Sequence, residues 1–191
     1  MKRTLIVFGL LCTFFIVIIG YGYSLPVEHQ ITMQRHYAKT PDEIWNVIVD
    51  YRKYSQWREN VYEVTEMRSK GSYDAWKELD ADGHSVPYEI ISYSQNKQMI
   101  IEITDPTLPY GGSWTFDLVP DETGTTLMIT ENGKIDNLFF RVIAHFSTGY
   151  TDSMNAWLNS LDNKYVMDAQ QEKTASELYA PPVAEGESSK K

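Results

Sequence analysis

Cysteine is almost missing from this chain. Cys12 is the only one in 191 residues, so a disulfide framework or a thiolate metal site within one molecule is excluded. Basic charge is also short. Lys and Arg number 17 against 26 Asp and Glu, for a net charge of −9. A phosphate-tracking face needs the opposite balance, which excludes nucleic acid as a partner. Of the four histidines, His29 and His36 fall within one predicted strand while His84 and His145 lie on other elements, and no pair has metal-ligand spacing. No metal and no cofactor is expected. The chain also lacks a nucleophile elbow, a phosphate loop, a dinucleotide fingerprint and any internal repeat.

Aromatic rings are plentiful, with thirteen Tyr and five Trp. Rings in such number either fill a core or line an apolar pocket with polar tips. The other abundance is local. Residues 5–19 read LIVFGLLCTFFIVII, with Lys2 and Arg3 before them and Tyr21 and Tyr23 after. A spanning helix needs about 20 mostly apolar residues, and this run reaches that length with its flanks. It predicts a membrane anchor over residues 1–25, with 4–23 in the bilayer. The basic start stays cytoplasmic, which makes a single-pass protein with its domain extracytoplasmic. The alternative is a signal peptide whose removal leaves a secreted domain. Gly20-Tyr21-Gly22 is a poor cleavage site, and Leu11 stands before Cys12 where a lipoprotein signal has a small residue.

Period-two patterns predict a first strand over 27–37 and then strands over 61–68, 73–79, 85–93, 98–105, 113–119 and 125–132. Pro87 predicts an edge position or a bulge in its strand. Gly111-Gly112 reads as a turn that bends the chain into the next strand. Thr40-Pro41-Asp42-Glu43 has the order of a helix start, with Thr40 as cap and Glu43 closing a capping box ahead of Ile44, Trp45 and Ile48. A second short helix or turn covers 51–57. Residues 137–165 carry the one long helical pattern of the domain, in two pieces. Leu138, Val142 and Phe146 lead the first piece, with Phe139 and Ile143 beside them; Met154, Trp157, Leu158, Leu161 and Tyr165 make the second. A kink or short break is expected at Ser147-Thr148-Gly149. After Tyr165 the pattern stops, and 167–191 reads as a disordered tail.

This order predicts an α+β fold, a curved antiparallel sheet of about seven strands around a long C-terminal helix, with two short helices after strand 1. The domain covers residues 26–166. The same chain resembles the START-like (SRPBCC) superfamily, and within it the polyketide cyclase/dehydrase group. The residues that carry the resemblance are Thr40-Pro41-Asp42-Glu43-Ile44-Trp45 and Asp50-Tyr51-Arg52-Lys53-Tyr54-Ser55-Gln56-Trp57. They continue in Leu108-Pro109-Tyr110-Gly111-Gly112-Ser113-Trp114, Glu131-Asn132-Gly133 and residues 137–141. Ser55 stands where relatives often have Pro. The resemblance implies a helix-grip fold with a cavity between sheet and long helix. Members of that group bind lipids, sterols, polyketides and other apolar molecules, and some are enzymes while others are carriers.

Strand parity turns Trp114, Phe116, Leu118, Leu127, Ile129 and Glu131 toward the helix, because the alternate positions Ser113, Thr115 and Asp117 are polar. Candidate cavity residues are therefore Tyr88, Trp114, Phe116, Ile129, Glu131, Arg141, Phe146 and Trp157. An inward carboxylate is costly without a partner, and Arg141 is the candidate partner of Glu131. Unpartnered, Glu131 would be raised in pKa and suited to acid–base work, and His145 is a second candidate proton carrier. Glu89 and Glu102 fall on the solvent face. Three functions remain open: a membrane-tethered domain that binds a hydrophobic small molecule or lipid, a cyclase or dehydratase, and an envelope interaction module with no small ligand.

Overall fold

The structure is a computed structural model that describes residues 2–147 and 151–178. Helix α1 (Lys2–Ser24) comes first, followed by strand β1 (Glu28–Tyr37). Helix α2 (Pro41–Ile48), a 3-10 turn (Tyr51–Lys53) and helix α3 (Tyr54–Trp57) lead to β2 (Glu63–Met67), β3 (Ala75–Leu79), β4 (Ser85–Ser94) and β5 (Gln98–Ile103). The long pair β6 (Gly111–Asp121) and β7 (Gly124–Lys134) then precedes α4 (Leu138–Ser147) and α5 (Asp152–Leu178). The seven strands form one antiparallel sheet in the order β1-β7-β6-β5-β4-β3-β2. β1 and β2 are consecutive in the chain but lie at opposite edges. The path between them must cross the full width of the sheet, and α2, the 3-10 turn and α3 make that crossing.

The start of α2 follows from its sequence. Glu43 N–H donates to Thr40 Oγ1 at 3.3 Å, and Thr40 N–H donates to the Glu43 carboxylate at 2.8 Å, which satisfies two otherwise unpaired donors. That backbone bond, helped by Lys39, holds the Glu43 carboxyl at about 2. Ile44, Trp45 and Ile48 form the buried stripe. In α5 the buried residues Met154, Trp157, Leu158, Ser160 and Leu161 recur by threes and fours against the sheet. Tyr37 donates to Asp162 at 3.0 Å and Arg35 pairs with the same carboxylate, so the far side of α5 is tied to β1. The tryptophans settle mostly in the core. Trp45, Trp57, Trp76 and Trp157 are all buried, with Tyr51 stacked on Trp76 at 4.5 Å and Trp57 edge-on to Trp157 at 5.4 Å.

Four local expectations are corrected. α5 continues to Leu178, so residues 167–178 are helical rather than part of a disordered tail; residues 179–191 lie outside the described ones. The apolar pattern ends at Tyr165, but the following DAQQEKTASEL is rich in good helix formers and free of Gly and Pro, so propensity extends the helix without burial. Pro87 is neither at an edge nor in a bulge. β4 is paired on both sides, and its register shift lies between Ile90 and Ser92. Pro87 accepts from Thr104 N–H, past the end of β5, where its own missing N–H costs no ladder bond. Gly111 and Gly112 begin β6 rather than making a turn. Gly112 has φ +125°, and a Cβ there would stand 2.1 Å from the Asn132 carbonyl oxygen. Glu89 lies on the outer face but is buried, because Ser69 and Gly71 N–H cover it and donate at 2.8 and 2.7 Å. The Ser69 hydroxyl, the larger cause, and the backbone amides lower its pKa. The break expected at Ser147-Thr148-Gly149 lies largely outside the described residues; α4 is described to Ser147 and α5 from Asp152.

Candidate functional site

Two chambers of about 310 Å³ each lie between the inner sheet face and the C-terminal helices. They share Ile103, Tyr110, Trp114, Glu131 and Ser153, so they adjoin across one wall of side chains. Each is near the lower end of the roughly 300–1,000 Å³ typical of small-molecule sites. The first opens beside α4, where Phe140, Ile143 and Ala144 complete it. The second lies among β3–β6, α3 and α5, with Phe116, Trp157, Tyr88 and Tyr54 in its walls.

Glu131 stands at the junction. β7 pairs with β6 so that Glu131 faces Trp114, and with β1 so that it faces Ile31. Its carboxylate is 3.6 Å from His29 Nε2. Burial pushes the Glu131 carboxyl up to about 6, opposed by a hydrogen bond from the Trp114 side chain. Burial also lowers the pKa of His29. A carboxyl poised near neutrality beside an imidazole in a sheltered space is equipped to accept or deliver a proton.

The second chamber has its own polar feature. Arg58 Nη1 donates to Glu78 at 2.8 Å, and both side chains are about nine-tenths buried. Trp76 Nε1 donates to the same carboxylate oxygen at 3.0 Å, and the guanidinium lies over the Tyr54 ring at 4.8 Å. Tyr54 in turn donates to the Ile48 carbonyl at 2.6 Å, which fixes the ring. Tyr88 stacks on Trp76 at 5.8 Å, and burial raises its pKa.

Of the residues singled out from sequence, Trp114 and Glu131 line both chambers, while Tyr88, Phe116 and Trp157 line the second. Ile129 is fully buried in the core and lines neither. Arg141 does not meet Glu131. It is buried against the end of α1, where Nη1 donates to the Leu25 carbonyl at 2.9 Å. Phe146 and His145 are also away from the chambers; both are exposed on α4 and their rings meet Tyr21 at 5.5 and 5.9 Å. The reason is common to all three. The first stripe of the helical pattern packs on α1 rather than on the sheet. Arg58, Glu78 and His29 were missed. Parity could have found His29, which shares a face of β1 with Ile31 and Met33, and Glu78, which shares one with Trp76. At the β3–β4 turn, ligand atoms of Asp80, Asp82 and His84 lie within 4.8 Å of one another. Asp80 is already occupied there by the backbone N–H groups of Asp82 and His84, at 2.9 and 2.8 Å.

A curved antiparallel sheet that grips a long helix around sheltered chambers defines the START-like helix-grip class. The sequence model described as polyketide cyclase/dehydrase and lipid transport matches residues 28–161, and the chain belongs to that family. Solved structures share the fold. A norcoclaurine synthase point mutant from Thalictrum flavum superposes with a TM-score of 0.59 at 14% identity, over 75% of this chain and 97% of that one. The ZhuI aromatase/cyclase from Streptomyces sp. R1128 gives 0.57 at 10% identity, over 72% and 96%. The di-domain aromatase/cyclase StfQ of the steffimycin pathway gives 0.56 at 11% identity, over 70% of this chain, which spans half of that protein's length. No curated protein sequence matches.

Proposed function

We propose that this protein is a membrane-tethered START-like domain that binds a hydrophobic small molecule or lipid in the two adjoining chambers. The observation that carries this reading is the space itself. Trp114, Phe116, Ile103 and Trp157 give it apolar walls and the first chamber is mostly apolar, while the second adds polar groups in Tyr88, Asn60, His84 and the Arg58–Glu78 pair, with Glu131 at the junction. That mixture suits a mostly apolar guest with a polar end. The tether is α1, whose segment from Arg3 to Ser24 is long and apolar enough to cross a membrane and is almost wholly exposed. At 23 residues it reaches about 35 Å, against roughly 30 Å of hydrocarbon. The test is to purify the full-length chain in mild detergent, extract it with organic solvent and examine the extract by mass spectrometry. A small molecule retained by the wild type and lost from Ile103→Trp, which fills the junction, supports the reading. An extract indistinguishable between the two contradicts it.

A second reading, a cyclase or dehydratase, draws on Glu131. A carboxyl near 6 at the chamber junction is placed to act as general acid or base on a bound guest. Glu131→Gln separates the readings. A carrier keeps the same guest, while an enzyme accumulates a guest of altered mass. A module without a small ligand would leave both chambers without a use.

A further inference from the structure

We propose that α4 lies in the headgroup layer of the membrane that α1 crosses, and forms the doorway through which a bilayer lipid passes sideways into the first chamber. This rests on the tethered reading above and adds the surface and the route. The depth of α4 is set by its docking on the last turn of α1. Gly22 allows the approach: a Cβ there would stand 2.7 Å from Leu138 and 3.1 Å from Val142. Tyr21 stacks on Phe146 at 5.5 Å with 28° between the rings, and Arg141 reaches the Leu25 carbonyl. Tyr21 and Tyr23 mark where a spanning helix leaves the hydrocarbon. α4 is held at that level.

Beside the docked residues Leu138 and Val142, α4 carries an apolar stripe that stays exposed even where Phe146 meets Tyr21. Phe139, Ile143 and Phe146 recur at i, i+4 and i+7, and are 49, 61 and 71% exposed. Three large apolar side chains in one stripe are not the usual surface of a water-soluble domain. They suit a helix whose apolar face sinks roughly 5–10 Å into the interface. LFFRVIAHFS holds no acid, and its one arginine is buried against α1, so contact with headgroups strips water from no exposed carboxylate. The stripe also leads inward. Ile143 belongs to it and to the chamber wall, with Phe140 and Ala144 beside it. A bilayer is favoured over a protein partner because the stripe is continuous with α1, which needs lipid along its length.

The test uses the full-length chain in phosphatidylcholine vesicles. Cys12→Ser removes the only cysteine. Single cysteines at Phe139, Ile143, Phe146, Phe14 and Glu122 then carry an environment-sensitive fluorophore. Glu122 lies in the β6–β7 turn, at the opposite end of a ten-residue β1 that spans about 33 Å. Nitroxide lipids with the spin near the headgroup should quench most of the emission at the three α4 sites, and nitroxides deep in the acyl chain should quench Phe14→Cys. Neither should affect Glu122→Cys. If Phe14→Cys is quenched but the α4 labels behave like Glu122→Cys, the doorway is wrong and the tether stands. Blue-shifted α4 labels that nitroxides do not quench mean that protein covers the stripe, which also overturns the proposal. An unquenched Phe14→Cys removes the tether and the doorway together.

Discussion

Replacing Glu131 with glutamine keeps the shape of the side chain and removes its titration. In the folded protein the carboxyl titrates near 6, against 4.5 for an ordinary glutamate. At about 1.4 kcal/mol per pKa unit, the ionised form costs the fold up to about 2 kcal/mol. The sign follows from which state loses its proton first. The unfolded chain ionises as pH rises past the ordinary value, while the folded one still holds the proton. Wild-type stability therefore declines between about pH 4.5 and 6 and stays lower above that window, and the glutamine variant has no such decline. Relative to wild type, Glu131→Gln should gain about 2 kcal/mol between about pH 4 and pH 7.5. His29 works in the opposite direction, because burial disfavours its charged form and low pH then costs stability. Both proteins should therefore carry His29→Gln. Urea unfolding followed by tryptophan fluorescence at the two pH values gives the difference directly. A gain that is equal at both values, or larger at the acid one, refutes the placement of Glu131 in a sheltered chamber.

Arg58→Ala should cost roughly 3–5 kcal/mol in urea midpoint and slope, because it leaves the Glu78 carboxylate buried without its cation. Replacing both residues with Met should recover most of that loss, and a double variant as weak as the single one would contradict the account. Gly112→Ala should lower stability by about 1–3 kcal/mol or more, since its backbone is left-handed and the new methyl meets the Asn132 carbonyl; an unchanged Tm would count against that contact. Thr40→Ala should cost about 1 kcal/mol by thermal melting, as an N-cap with a formed capping box does.

Patterns that repeat within one element were legible from the residues. Alternation placed Trp114, Phe116 and Leu118 of β6 and Leu127, Ile129 and Glu131 of β7 on the inner face, and the Thr40–Glu43 box marked the start of α2. Contacts between elements distant in the chain were not legible. Arg141 has its acceptor at Leu25, just past the helix read as a separate anchor, and nothing in the local sequence points there. The stripe of Leu138 and Val142 has the right period for a helix on a sheet, but period does not say which apolar surface a helix meets. Its partner is Gly22, which in the local sequence reads only as part of a poor cleavage site. The Arg58–Glu78 pair escaped notice because α3 and β3 come together only through the crossing beneath the sheet.

The central claim is that a guest occupies the space between β6 and α5. A titration of the full-length chain in detergent with a fluorescent fatty-acyl probe, read as energy transfer from tryptophan, tests it most directly. The account predicts saturation at one probe per chain, with the signal lost in both Ile103→Trp and Ser153→Trp. Equal, unsaturable transfer in wild type and both variants would mean that the probe only coats the surface, and the binding function would be wrong.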